Sequence, residues 1–292
     1  MDKCERWRSY ELTLNGPTSG NPFTDVQFFA TFRHEGFSIK VRGFYDGNGK
    51  YKVRYMPEML GDWELTTTSN VAELSGKNAE FECVSAAEGN HGPVRVQGKT
   101  HFAYADGQAY MPFGTTAYAW TVQSEERKDQ TLKTLEEKSF NKIRLTVFPM
   151  NYRYNTAEPA KYPYEGSTKK VEKEFTFDSW MMDPKDIGFD FSRFVPAYFQ
   201  HLEQRIQDLD QLGVEADLIL FHPYDHWGFA RMGANFDKLY LQYIIARLGS
   251  YKNVWWALAN EYDLMALAGQ KDLSAWDAIG QTVQEEDPTN QL

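Results

Sequence analysis

The chain has 292 residues, 42% apolar and 25% charged, a composition typical of globular domains. With 31 Lys and Arg against 41 Asp and Glu, the formal charge is −10, which argues against a nucleic-acid backbone as partner. Two cysteines make no disulfide framework, and no apolar run approaches the length of a membrane span. The first residues, Met1-Asp2-Lys3-Cys4-Glu5-Arg6, have no apolar core of the secretory type, so the expectation is a cytoplasmic protein with no membrane partner. A leader removed earlier would leave no trace. The excess is aromatic, with 8 Trp, 17 Tyr and 20 Phe, and leans toward carbohydrate.

From Trp7 to about Gly98 the apolar period is two. Val26, Phe28, Ala30 and Phe32 alternate with Gln27, Phe29, Thr31 and Arg33, and Tyr51, Val53 and Tyr55 repeat the pattern. Turn signals such as Asn15-Gly16-Pro17 and Asp46-Gly47-Asn48-Gly49 separate the runs. Residues 1–98 are therefore expected to form an immunoglobulin-like β-sandwich. It contains no carboxylate pair, nucleophile–base pair or metal spacing. Arg42, Arg54, His34 and His91 read as solvated or locally satisfied, and the domain as structural or substrate-flanking.

His101 to Tyr110 reads as a hairpin, and strands then alternate with helices. Strands are expected at Tyr110 to Ala119, Lys142 to Phe148, Val214 to Phe221 and Val254 to Ala259. Helices are expected over Gln130 to Phe140, Val195 to Leu209, Phe236 to Leu248 and Leu273 to Val283. A long polar and aromatic excursion from Pro149 to about Asp190 reads as a cleft wall or lid, and Lys169 to Glu174 within it as a solvated face.

Alternation of this kind predicts parallel strands, either a barrel or a doubly wound sheet. Each strand exit carries polar and aromatic groups: Thr115, Thr116, Tyr118 and Trp120; Arg144, Phe148, Asn151 and Tyr152; His222, Tyr224, Asp225, His226 and Trp227; Asn260, Glu261 and Asp263. Four chemically loaded exits suit the catalytic face of a barrel, and the glycine-rich phosphate turn of the doubly wound alternative is missing. Residues 99–292 are thus expected to be the first half of a (β/α)8 TIM barrel. About 185 residues follow Gln108, against roughly 250 for a closed barrel, so the expectation is a truncated sequence.

Val254 to Ala259 is a buried-strand pattern that ends abruptly in Asn260-Glu261. Trp255, Trp256 and Tyr262 are expected to wall Glu261, desolvate it and keep it protonated as a general acid. The plain alternative is that Glu261 caps the next helix. Trp120 and Trp227 read either as sugar-stacking platforms or as rim core. Asp225 and Asp263 read as loop carboxylates or substrate ligands. His222 and His226, four apart, could hold Zn²⁺, but Pro223 between them opposes the helix that would align the rings, so no metal and no cofactor is expected.

Several stretches resemble one known group: Asn21-Pro22-Phe23, Gly43-Phe44-Tyr45-Asp46-Gly47, Val53-Arg54-Tyr55-Met56-Pro57, Gly61-Asp62-Trp63, His91-Gly92-Pro93-Val94, Tyr104-Ala105-Asp106-Gly107, Phe113-Gly114-Thr115-Thr116 and Trp255-Trp256-Ala257-Leu258-Ala259-Asn260-Glu261. The group is the glycoside hydrolases in which an immunoglobulin-like domain of unknown function precedes an apiosidase-like clan A (β/α)8 barrel. The resemblance implies retaining hydrolysis of an O-glycoside from plant or other polysaccharide-derived glycans. It implies Glu261 as acid/base, Asn260 bound to the sugar 2-hydroxyl, Arg144 steadying the nucleophile, and His222 as the third-strand histidine. Tyr224, Asp225, Trp120, Trp227 and Thr116 complete the expected substrate-binding set. The nucleophile is expected after a seventh strand, so no residue here receives that role. A carbohydrate-binding protein without turnover, and a metal-dependent hydrolase using His222 and His226, are the alternative readings.

Overall fold

The computed structural model describes residues 1–167 and 188–291, so Lys169 to Glu174, Phe175, Phe177 and Trp180 of the expected cleft wall lie outside the described residues. The chain forms two compact units. The first comprises Met1–Met111, Tyr240–Val254 and Thr282–Leu292; the second comprises Pro112–Leu239 and Trp255–Gln281.

In the first unit, alternation produces strands β1 (Asp2–Glu5), β2 (Tyr10–Asn15), β3 (Phe28–His34), β4 (Phe37–Arg42), β5 (Phe44–Tyr45), β6 (Lys50–Tyr55), β7 (Gly61–Ser69) and β8 (Asn78–Val84), with a one-turn helix α1 (Pro22–Asp25) before β3. They make a five-stranded sheet in the order β1-β8-β7-β3-β4 and a three-stranded sheet in the order β2-β6-β5. The apolar faces share one core. Tyr10 of β2 stacks on Phe81 of β8 at 3.9 Å between centroids, and Phe32 of β3 meets Tyr55 of β6 at 5.0 Å. A further antiparallel sheet joins β9 (Val94–Gln97), β10 (His101–Tyr104) and β11 (Ala109–Tyr110), the expected hairpin with one added strand.

Two arginines of this unit depart from expectation. Arg54 is buried, donating from Nε to Glu11 at 2.7 Å and from Nη1 to the Arg247 carbonyl at 2.8 Å. Arg42 pairs with Glu286 at 2.7 Å. Glu11, opposite Arg54 on the neighbouring strand, satisfies one of its nitrogens, but its second partner and that of Arg42 come from the distant ends of two later helices. A guanidinium that leaves water needs such partners, and the local sequence gives no hint of them.

The second unit alternates as expected: β12 (Gly114–Thr116), α2 (Glu125–Glu137), β13 (Lys142–Thr146), β14 (Tyr164–Gly166), β15 (Phe189–Phe194), α3 (Pro196–Gln211), β16 (Glu215–Phe221), α4 (Ala234–Leu248), β17 (Val254–Ala259), α5 (Tyr262–Leu267) and α6 (Ala275–Glu286), the last turns of α4 and α6 belonging to the first unit. One four-stranded sheet runs β12-β13-β16-β17, with β12–β13 and β13–β16 parallel. β12 is shorter than expected. Tyr110 belongs to β11, and Pro112, which has no N–H to give a ladder, separates the two strands. α2 starts five residues early because Ser124 caps it, accepting from the Arg127 amide, ahead of a charged first turn that apolar periodicity does not detect.

One face of this sheet is charged. Lys142, Arg144 and Thr146 lie opposite Glu215, Asp217 and Ile219 in register. Lys142 Nζ reaches Asp217 at 2.9 Å, Arg144 Nη1 reaches the same carboxylate at 3.5 Å, and Trp255 Nε1 donates to Glu215 at 2.8 Å.

Candidate active site

β17 delivers Asn260 and Glu261 just beyond its last residue, and Asn260 N continues the ladder to Phe221 O at 3.0 Å. Glu261 then leaves the strand in the left-handed region, φ 51° and ψ 56°. That conformation costs a non-glycine residue about 1 kcal/mol, and such strain collects at functional sites. Glu261 occupies the residue before α5, yet its side chain makes no capping hydrogen bond. The carboxylate is turned elsewhere.

Its partner is Tyr224, whose hydroxyl donates to Glu261 Oε2. The same hydroxyl accepts from Asn260 Nδ2 at 3.2 Å, and Asn260 Oδ1 accepts from the Tyr118 hydroxyl at 3.1 Å. Three strand exits therefore meet in one chain of hydrogen bonds. Burial, and then the bond to Glu261, push the Tyr224 phenol above its ordinary value, so it stays a donor.

The expected wall around Glu261 is not there. Glu261 and Tyr262 are exposed, and Trp255 sits buried with its indole on Glu215. Strand geometry explains this: Trp255 is six residues before Glu261, roughly 20 Å along an extended chain, and Trp256 leaves from the opposite face.

Tyr224 is held by its loop. Asp225, 4% exposed, accepts from the amides of Trp227 at 2.7 Å, Gly228 at 3.1 Å and Ala230 at 2.6 Å. Burial pushes its carboxyl up against the downward pull of those amides. Gln270 Nε2 donates to Pro223 O at 2.9 Å, and Asn151 N to Tyr224 O at 2.9 Å. Asp225 is thus spent on backbone.

His222 is fully enclosed. Its Nε2 lies 3.3 Å from Phe148 O, its ring stacks on Tyr224 at 5.9 Å, and Nδ1 has no partner among the described residues. Desolvation lowers its pKa to about 4, so the ring is neutral near pH 7. His226 instead turns Nε2 to Glu158 at 3.0 Å, so the two imidazoles serve different partners.

Trp227 is 1% exposed and donates to Glu158 at 2.8 Å; Trp120 is 3% exposed and donates to Lys128 O at 3.3 Å. Neither ring offers a face to a sugar. Thr116 is exposed and lines, with Tyr118, Tyr152, Tyr154 and Asn155, a cavity of about 650 Å³. Arg144 is engaged on Asp217. Sequence reasoning missed Tyr118 as the partner of Asn260, although it stood at a strand exit. It also missed Glu158, which carries no signal in its loop yet accepts from Tyr162, His226 and Trp227.

Comparison with known proteins divides the chain in sequence order. Residues 3–70 match the model of a domain of unknown function, DUF5060, and residues 96–292 match "Apiosidase-like, catalytic domain". A crystal structure described as a "putative glycoside hydrolase from Bacteroides vulgatus ATCC 8482" is 43% identical with a TM-score of 0.90, covering 100% of this chain and 55% of that one. The chain therefore spans about half the length of that protein. A glycoside hydrolase family 5 structure from the same organism is 14% identical (TM-score 0.48, 68% of this chain and 38% of that one). An endo-1,4-beta-mannanase from Rhizomucor miehei is 13% identical (TM-score 0.43, 68% and 59%). No curated protein matches the chain. Among the described residues no helix is long and apolar enough to cross a membrane.

Proposed function

Because the chain belongs to the apiosidase-like family, we propose that it carries the acid/base half of a retaining O-glycoside hydrolase, with Glu261 as the proton-transferring group. One observation carries the reading: at the end of β17, Glu261 declines the helix cap and is held instead by Tyr224, beside Asn260. Retaining hydrolysis needs an acid to protonate the leaving oxygen and a second carboxylate about 5–5.5 Å away to attack the anomeric carbon. No described residue is assigned the second role. Arg144 is suited to steady a nearby negative charge, whereas His222, neutral and enclosed, packs against Tyr224 out of a sugar's reach.

The same reading makes residues 1–98 an immunoglobulin-like sandwich, and β12, β13, β16 and β17 the first four strands of a (β/α)8 barrel. Two sheets around one core support the former; helix-linked strands with parallel pairing support the latter. The substrate class is a glycan-derived O-glycoside.

The test is a panel of aryl glycosides, an aryl apioside among them, offered to the intact protein. Glu261→Gln is expected to lower the rate on poor leaving groups by about 100-fold or more. Glu261→Gly with azide is expected to yield a glycosyl azide of retained configuration. An unchanged rate in Glu261→Gln rules out the acid/base role, and binding without turnover by the wild type favours a carbohydrate-binding protein.

A further inference from the structure

The hydrogen bonds around Glu261 have a direction as well as a geometry. Tyr118 has one hydroxyl hydrogen, and it goes to Asn260 Oδ1 at 3.1 Å. With that oxygen facing Tyr118, the amide nitrogen faces Tyr224 and donates to its oxygen at 3.2 Å. The Tyr224 hydrogen is then left for Glu261 Oε2. Every donor along Tyr118, Asn260, Tyr224 and Glu261 points the same way, and the chain ends on an acceptor. A proton on Oε2 would face a hydroxyl already donating toward it, and relieving the clash would turn the Tyr224 hydrogen out of the chain and away from the carboxyl group. Oε1 makes no hydrogen bond among the described residues.

From this the geometry points to Tyr224, set by Asn260 and Tyr118, as the positioning residue that holds Oε2 of Glu261 as acceptor and so makes Oε1 the oxygen that gives and takes the catalytic proton. The inference rests on the acid/base reading of Glu261. In the first step the Oε1 proton passes to the glycosidic oxygen and the anomeric C–O bond breaks, its electron pair leaving on that oxygen as a neutral alcohol. A second carboxylate forms the new bond to the anomeric carbon. In the second step Oε1 takes a proton from water as the water oxygen bonds the anomeric carbon and that carboxylate departs.

Tyr224 then acts on the barrier as well as the pose. Its hydrogen bond is to a neutral carboxyl oxygen before transfer and to a carboxylate afterwards, and charge-assisted bonds are roughly twice as strong as neutral ones. The interaction strengthens as the proton leaves, which favours the transition state over the ground state. The Asp225 amide cradle and the Gln270 contact, described above, keep the hydroxyl in place. Left-handed Glu261 gains a reason too: an ordinary cap conformation would aim the carboxyl at the α5 amides and away from Tyr224.

The experiment compares methyl and dinitrophenyl glycosides of the sugar that the intact protein releases from its aryl panel. Tyr224→Phe removes one oxygen and is expected to cost about 10- to 100-fold in kcat on the methyl glycoside, with a much smaller loss on the dinitrophenyl glycoside. Tyr118→Phe, two bonds further out, is expected to follow the same leaving-group pattern with a smaller loss. If Tyr224→Phe raises KM equally on both substrates with kcat intact, Tyr224 only binds sugar and the inference is overturned. If Glu261→Gln shows the leaving-group dependence and Tyr224→Phe does not, the inference falls while the function stands. If Glu261→Gln shows none, the function itself falls. Melting temperatures of both phenylalanine variants within a few degrees of wild type separate these outcomes from misfolding, and Tyr118→Phe remains the arbiter should Tyr224→Phe unfold.

Discussion

The Tyr118 hydroxyl and Asn260 Oδ1 lie 3.1 Å apart, although their strands are the two outermost of the four-stranded sheet. Three inter-strand spacings of about 4.8 Å would separate those strands by roughly 14 Å in a flat sheet. A tyrosine and an asparagine side chain together reach about two-thirds of that. With the 3.1 Å hydrogen bond added, the reach is roughly 12 Å, so the first and fourth exits lie closer together than a flat sheet would set them. The inward lean makes one site out of residues from three strands.

Asp225 is the residue on which that site depends without touching a substrate. Replacing it with Ala removes the acceptor for three buried amides and should cost about 3 kcal/mol of stability. Asp225→Asn, which retains one acceptor oxygen, should cost less. Urea denaturation followed by tryptophan fluorescence reads both. In either variant the loss of activity should track the freedom given to Tyr224, so a destabilised variant with full kcat would break the link between cradle and site.

His222 predicts a pH dependence. Its folded pKa of about 4 lies below the 6.5 of an unfolded histidine, so between those values the unfolded chain binds the extra proton. Stability from this group is complete above pH 6.5, falls as the pH drops, and is lost by about pH 4. The change is of order 3 kcal/mol across that window. Unfolding free energies of wild type and His222→Gln measured from pH 4 to pH 7 should differ in slope by this amount. Parallel curves would mean that the ring is reached by water.

Elements whose register places one face in a core were legible from the residues alone. β17 and the apolar runs of β3, β6 and α3 fall where alternation or helical spacing put them, since burial acts on each residue separately. What escaped was pairwise and distant. Trp255 was read as a wall for Glu261 because the two are close in sequence, yet strand rise carries them apart. Tyr224 reaches Glu261 from 37 residues away because two strands end at the same level. Glu158 gathers Tyr162, His226 and Trp227 without any local pattern, because a carboxylate in a loop looks the same whatever it accepts.

The first unit makes the same point through Arg247 and yields the last prediction. Arg247, at the end of α4, is 0% exposed; its Nη2 donates to Asp46 at 2.8 Å, its Nη1 to the Tyr243 hydroxyl at 3.0 Å, and its guanidinium lies over the Phe44 ring at 4.6 Å. Asp46 also holds Lys52 at 3.1 Å. Asp46→Ala strands a buried guanidinium and should cost about 3–5 kcal/mol, whereas Asp46→Ala with Arg247→Met should recover most of the loss, because a buried pair is worth little against a packed apolar replacement. By the same logic a fragment of residues 1–98 leaves Arg42, Asp46 and Arg54 without the partners that α4 and α6 bring them. Such a fragment should melt well below the first unit in the intact chain, and calorimetry of the two would show it. A fragment as stable as the intact unit would mean that these two sheets need nothing beyond their own strands.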